Sequence, residues 1–243
     1  MCRISVCIAT YNGEKFIVSQ IKSILGQLSA QDEIIISDDG SQDRTMEIIK
    51  EFNDPKIRFF PNPGKKNVIN NFENALKKAK GRYIFLSDQD DIWEPDKLDV
   101  MLPYLKQYDL VVSDCSIIDA EDNNIIHDSY FYLRDSGKGI LKNIMANTYM
   151  GSCMAFNRLI LEKSLPFPEK IPMHDWWIGL IGEMFGKTMF CPDKLIKYRR
   201  HDNNISPFVD MEKYNLLEKI RFRKNIIIPL FKKWRESKVN EVI

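Results

Sequence analysis

The feature that most constrains this chain is a repeated pattern: a short apolar run ends in a polar turn, and a segment with helical spacing follows. The runs are residues 4–9, 33–37, 57–60 and 83–87, with a fifth at 110–113. Bounded apolar runs of this length read as buried strands. Between them, Phe16, Ile17, Ile21, Ile24, Leu25 and Leu28 recur at helical spacing, as do Met46, Ile48, Ile49 and Phe52, and then Phe72, Ala75, Leu76 and Ala79. Strands alternating with helices imply βαβ units, a largely parallel sheet and right-handed crossovers. Such sheets bind ligands outside the carboxyl ends of their strands. Three polar clusters fall at those ends: Ala9-Thr10-Tyr11-Asn12, Asp38-Asp39 and Asp88-Gln89-Asp90-Asp91.

Asp88, Asp90 and Asp91 repel one another unless a positive group lies among them. Their position after an apolar run suits a divalent cation with oxygen ligands, Mg²⁺ or Mn²⁺. The competing reading is a solvated acidic turn that caps the next helix. Helix capping accounts for one aspartate per turn, but not for three in one turn.

The totals narrow the class. A length of 243 residues suits one domain with an appendage. A net charge of +1 carries no global signature of nucleic-acid binding. The five cysteines, Cys2, Cys7, Cys115, Cys153 and Cys191, show no C-x-x-C spacing, which argues against a disulfide framework and for a reducing, cytoplasmic compartment. The opening residues are too mixed for a signal peptide, and no apolar segment is long enough to cross a bilayer.

Beyond residue 115 the alternation weakens. Residues 119–124 read as a turn between short strands, 140–146 as a short helix, and 149–156 as a strand of small residues. A helix runs from Met173 through Phe185. Residues 189–191 and 195–198 read as separate late strands, the second leading into Arg199-Arg200-His201. From Pro207 onward, Leu216, Leu217, Ile220, Ile226, Ile227, Ile228, Leu230, Phe231 and Trp234 alternate with seven lysines and arginines. That is a basic amphipathic segment, suited to a membrane surface or to packing on the catalytic domain or another subunit. Pro229 is expected to kink or split it.

The motifs Ala9-Thr10-Tyr11-Asn12, Ser37-Asp38-Asp39-Gly40-Ser41, Ser87-Asp88-Gln89-Asp90-Asp91, His174-Asp175-Trp176-Trp177 and Tyr198-Arg199-Arg200-His201, in this order, resemble a family 2 glycosyltransferase of the GT-A fold. The match is to the rhamnosyltransferase-like branch that builds bacterial surface polysaccharides. The family's usual proline in the first motif is Ala9 here.

The resemblance implies an α/β GT-A domain over residues 1–206, with a Rossmann-like, mostly parallel central sheet flanked by helices and a helical tail over 207–243. It implies an inverting, metal-dependent transfer of a sugar from a UDP- or dTDP-linked donor to a glycan or lipid-linked glycan acceptor. Ala9, Thr10 and Tyr11 would line the base, and Asp39 would accept the imide N–H of uracil or thymine. Asp88 and Asp90 form the D-x-D, with Asp90 a metal ligand and Asp88 a ribose or metal contact; Asp91 could assist. Asp175 corresponds to the catalytic base, and His201 to a further metal or diphosphate contact.

Trp176 or Trp177 could face the acceptor, Trp93 the donor or the core, and Lys65 or Lys66 the phosphates. The tail is expected to make peripheral contact with the inner face of the cell membrane. A sugar-1-phosphate nucleotidyltransferase is the rival enzyme, but its Gly-rich basic loop after the first strand is absent from Thr10-Tyr11-Asn12-Gly13-Glu14. A non-catalytic nucleotide-sugar or membrane-binding module is the third reading.

Overall fold

A computed structural model describes residues 3–202, 204 and 214–240. The elements in chain order are β1 (Ile4–Thr10), α1 (Ile17–Leu25), β2 (Glu33–Asp38), α2 (Thr45–Glu51), β3 (Ile57–Pro61), α3 (Val68–Lys78), β4 (Tyr83–Asp88), β5 (Ile92–Trp93), α4 (Lys97–Leu105), β6 (Leu110–Ile118), β7 (Ile125–His127), α5 (Tyr130–Arg134), α6 (Ile140–Met145), β8 (Met154–Asn157), α7 (Arg158–Ser164), α8 (His174–Phe185), β9 (Thr188–Arg199) and α9 (Leu216–Asn240). The boundary expected at residues 206–207 lies outside the described residues.

Among the described residues the strands form one sheet in the order β3-β2-β1-β4-β8-β6-β9-β5, with β7 paired to β6. The first four strands are mutually parallel, and their register is what builds a site. Thr10 lies opposite Asp38, Asp38 opposite Pro61, and Ala9 opposite Asp88. Three polar strand ends are therefore side by side on one edge. β1 and β2 are buried almost throughout, so a one-residue slip would have to exchange inner and outer faces.

The later strands depart from the simple reading. β8 is antiparallel to both β4 and β6, so the parallel arrangement is interrupted there. Residues 149–156 are not one strand: Gly151–Cys153 form a 3-10 turn and only Met154–Asn157 are extended. The two late strands are one, β9, which passes Pro192 where its pairing with β6 shifts register. A proline lacks the N–H a ladder needs, and an irregularity tolerates it. β5, two residues long, pairs antiparallel with β9 and brings the end of β9 beside the acid turn.

α8 lies close on the sheet because it presents glycines at its contact points. A Cβ on Gly179 would fall 2.4 Å from the Tyr149 ring, and one on Gly182 would fall 2.4 Å from Leu110. This approach fixes the start of α8, where His174 and Asp175 sit. Trp176 and Trp177 are both core residues: their indole N–H groups donate to Asn143 O at 2.6 Å and Ser164 O at 2.9 Å. Neither faces an acceptor. Trp93 is also buried, packed against Phe85.

α9 opens with a capping box: Glu218 N donates to Asn215 Oδ1 at 2.9 Å, and Asn215 N to Glu218 Oε2 at 3.0 Å. It runs through Pro229 as one helix and is not split there. Ile226 and Leu230, buried on either side of the proline, each stabilise the docked helix by about 1.5–3 kcal/mol, which offsets the missing hydrogen bond.

Candidate active site

The strand-end edge opens on a cleft of about 1300 Å³. Ala9, Thr10, Tyr11, Asp39, Asp88, Asp90, Asp175 and His201 all line it. These eight candidates thus share one cavity, although they come from five separate stretches of chain, whereas Asp91, Lys65, Trp93, Trp176 and Trp177 lie outside its lining.

One flank is built from the ends of β1 and β2. Thr10 Oγ1 donates to Asp38 Oδ1 at 3.2 Å, and Asp38 Oδ2 accepts from Gly40 N at 2.8 Å and Ser41 N at 3.0 Å. Gly40 has φ +85°, a conformation that favours glycine and makes the turn tight. Asp38 is thereby spent on holding the turn, and Asp39 is the carboxylate presented to the cleft. Asn62 Nδ2 donates to Asp39 Oδ1 at 2.6 Å. Burial pushes the Asp39 carboxyl up, while Asn62 and the nearby Lys66 ammonium pull it down. Lys66 Nζ donates to Asn62 O at 3.0 Å and reaches the cleft; Lys65 does not line it.

The first loop is tied to the acid turn by Gln89. Its Oε1 accepts from Tyr11 N at 3.0 Å, and its Nε2 donates to Tyr11 O at 3.0 Å. Asn71 Nδ2 donates to Thr10 O at 3.0 Å from α3. Gln89, Asn62 and Asn71 were not singled out in the sequence, because an isolated amide carries no pattern that reveals a partner dozens of residues away.

The acid turn itself is asymmetric. Asp90 Oδ2 lies 2.8 Å from His201 Nε2, and the His201 ring stacks on Phe16 at 4.7 Å. Arg199 fixes the pair: its Nε donates to Asp90 O at 2.9 Å and its backbone N to Asp91 Oδ1 at 3.1 Å. Asp91 is fully buried and does not line the cleft, so it braces the turn from behind. Burial and the neighbouring Asp90 and Asp88 charges hold its carboxyl well above the usual range. Asp88 is pushed up to about 8, first by burial and then by the charges of Asp90 and Asp175. Beneath the turn, the buried Lys97 donates from Nζ to Ser152 O at 2.9 Å and lies 4.5 Å from the Trp93 ring centroid.

The opposite wall is the start of α8. Asp175 is in the first helical turn, where the backbone amides favour a negative group; the helix N-cap is Met173. Asp175 Oδ1 accepts from Trp176 N at 2.5 Å and from Asn147 Nδ2 at 3.3 Å. Burial nevertheless lifts its carboxyl to about 7. His174, stacked on Phe72 at 4.1 Å, is held near 3 by burial. The imidazole is therefore neutral, and neither ring nitrogen has a hydrogen-bond partner among the described residues.

Among the described residues, no group of three or more His, Cys, Asp or Glu side chains is arranged to hold a metal ion. The donors that do face one another are Asp90 and His201, with Asp88 on the same turn. This set fits a cation that takes most of its ligands from water and substrate phosphates, as Mg²⁺ commonly does, and does not fit an all-protein cage.

Comparison with known proteins places the chain in a family. The model of Glycosyl transferase family 2 matches residues 5–165. An uncharacterized glycosyltransferase of Haemophilus influenzae is 28% identical over 246 residues, covering 92% of this chain and 73% of that protein. The Escherichia coli UDP-Glc:alpha-D-GlcNAc-diphosphoundecaprenol beta-1,3-glucosyltransferase WfgD is 26% identical over 210 residues, covering 84% of this chain and 79% of its own length. Among solved structures, residues 1–349 of TarS from S. aureus in complex with UDP superpose with a TM-score of 0.65 at 18% identity, covering 82% of this chain. This chain spans 60% of that solved one. The fold expected from the motifs, a GT-A-type sheet flanked by helices, is the fold observed.

Proposed function

The chain belongs to Glycosyl transferase family 2, and from that premise we propose that it is an inverting transferase, moving a sugar from a UDP- or dTDP-sugar to a hydroxyl of a glycan or lipid-linked glycan in surface-polysaccharide synthesis. The observation that carries this reading is the meeting, across one cleft, of a base-binding flank at Thr10 and Asp39, an acidic turn at Asp88–Asp90, and a carboxylate with raised pKa at Asp175.

The roles follow from position. Tyr11, half exposed at the cleft mouth, offers a face to the base. Asp39, oriented by Asn62, accepts the imide N–H. Asp90 and His201, with Asp88, would hold a divalent cation on the diphosphate, which would supply charge neutralisation at the departing oxygen. Asp175 takes the proton of the acceptor hydroxyl as that oxygen attacks the anomeric carbon. The bond from the anomeric carbon to the diphosphate breaks with its electron pair leaving on phosphate oxygen, and the new bond forms on the opposite face of the sugar. A base with a pKa near 7 has the right balance of ionisation and proton affinity at neutral pH; such a base contributes about 10²–10⁴-fold.

Support for a lipid-linked acceptor comes from the relative WfgD, whose name specifies a diphosphoundecaprenol-linked one. The test is incubation with a panel of UDP- and dTDP-sugars and a GlcNAc-diphospho-lipid, with and without Mn²⁺, reading nucleoside diphosphate release and lipid product. Acceptor-dependent release from one donor is the expected result. Pyrophosphate formation from a sugar phosphate and a nucleoside triphosphate, without transfer, would replace this reading with the nucleotidyltransferase one.

A further inference from the structure

The outer side of α9 is exposed among the described residues. Leu217, Ile220, Ile227, Ile228, Phe231 and Trp234 are between 42% and 77% exposed. Turned by about 100° per residue, they fall within an arc of roughly 120°. Ile226 and Leu230, which dock the helix, fall outside that arc, about 80° and 40° past its edge. The exposed face is a second apolar stripe along the helix.

The charge around that stripe is one-sided. α9 carries eight basic side chains and two acidic ones, in a chain whose total is +1. Arg221, Lys224, Lys232 and Arg235 lie within or beside the apolar arc. Of the two acids, Glu218 is held in the capping box, and Glu236 lies 4.0 Å from one of those four basic side chains, Lys232. The patch continues onto α6, where Leu141 is 80% and Met145 59% exposed, and Arg223 Nη2 joins the two helices by donating to Met145 O at 2.7 Å. Exposed apolar patches of this extent mark interaction sites. Apolar side chains ringed by lysine and arginine match the boundary between anionic headgroups and acyl chains.

We propose that the outer face of α9 and the adjoining end of α6 rest on an anionic lipid surface, in the plane of the membrane. No described helix is long and apolar enough to cross one, so the contact is interfacial. The proposal goes beyond the chemistry of the cleft and does not depend on which sugar is bound there. It also orients the cleft: Asn143 of α6 accepts from Trp176, the residue next to Asp175, so the membrane-facing patch and the proposed base share a rigid link.

Trp234 gives a direct readout, since Trp93, Trp176 and Trp177 are buried. The full chain is mixed with vesicles of phosphatidylglycerol or of phosphatidylcholine, and both co-sedimentation and tryptophan emission are followed. The expected result is binding to phosphatidylglycerol vesicles with a blue shift, at least tenfold weaker binding to phosphatidylcholine, and weakening with salt. Ile227→Ser with Phe231→Ser, and separately Arg221→Glu with Lys224→Glu, should each lower binding at least tenfold while circular dichroism and melting stay as in the wild type. Absence of binding to anionic vesicles, or binding by both variants as tight as that of the wild type, overturns the proposal. So does a concentration-dependent dimer that shields Trp234 without lipid, which would make the face a subunit interface.

Discussion

Gln89 joins the first loop to the acid turn through two hydrogen bonds to the Tyr11 backbone, and two different substitutions can break that joint. Gln89→Ala removes both hydrogen bonds to the Tyr11 backbone. Gly13→Ala should do so indirectly: its added Cβ would fall 2.3 Å from Gln89 Oε1 and 2.7 Å from Gln89 Cδ. Gly13 has no positive φ, so the alanine adds no backbone strain, and the flexible amide must swing away. Each hydrogen bond is worth about 0.5–1.5 kcal/mol net. Both are partly solvated, so their joint loss is placed at about 1–2 kcal/mol, a fall of about 5- to 30-fold in affinity for UDP or dTDP. The decisive feature is non-additivity, because residues in contact do not contribute independently. Titration calorimetry on both single variants and the double variant should show the double no weaker than Gln89→Ala alone. Additive losses, or full affinity in Gln89→Ala, would refute the coupling of loop and turn.

Asp175→Asn should leave nucleotide affinity intact and lower transfer by about 10²–10⁴-fold, and wild-type kcat should fall as pH drops through about 7, where the carboxylate takes up a proton; equal loss of binding and transfer would move the residue from chemistry to structure. The same variant tests stability. A carboxyl raised above its unfolded value stabilises the fold at low pH and loses that contribution as pH rises through the folded pKa. Asp175→Asn should therefore raise the melting temperature more at pH 8 than at pH 5, and a gain confined to pH 5 would contradict this. His174, held near 3 by burial, should show no imidazole titration by NMR between pH 5 and 8. Lys97→Met leaves the Ser152 carbonyl without its donor and should cost about 1–3 kcal/mol in urea unfolding; an unchanged midpoint would mean that water replaces the amine.

The part of the fold that sequence reveals is the part made by local pattern. β1 to β4 are apolar runs cut off by Asn, Asp, Gly or Pro, and the parallel register then has to place Thr10, Asp38 and Asp88 on one edge. Elements decided by tertiary contact were not legible. β5 is two residues long and is extended only because β9 pairs with it. Pro192 and Asp193 have the composition of a turn, yet β9 carries them through a shift in register. Gly151 belongs not to a strand but to a 3-10 turn at the cleft, where a Cβ would come within 3.0 Å of His174 Nε2. The tryptophans after Asp175 illustrate the same limit. Helical spacing puts them on α8, but only the position of α6 and α7 decides that both are core. In the site, aspartates announce themselves by clustering, whereas the amides act at a distance, Asn62 on Asp39 across 23 residues and Gln89 on the Tyr11 backbone across 78, and leave no local trace.

In the proposed function one cleft holds the base at Asp39, the diphosphate at Asp90 and the transfer at Asp175. A crystal soaked with a UDP- or dTDP-sugar and Mn²⁺, measured at the manganese edge, tests it most directly. The account requires anomalous density bridging Asp90 and the diphosphate, the base against Thr10 and Asp39, and the anomeric carbon turned toward Asp175. Nucleotide bound elsewhere on the molecule, or a sugar facing away from Asp175 with the acid turn empty, would contradict it.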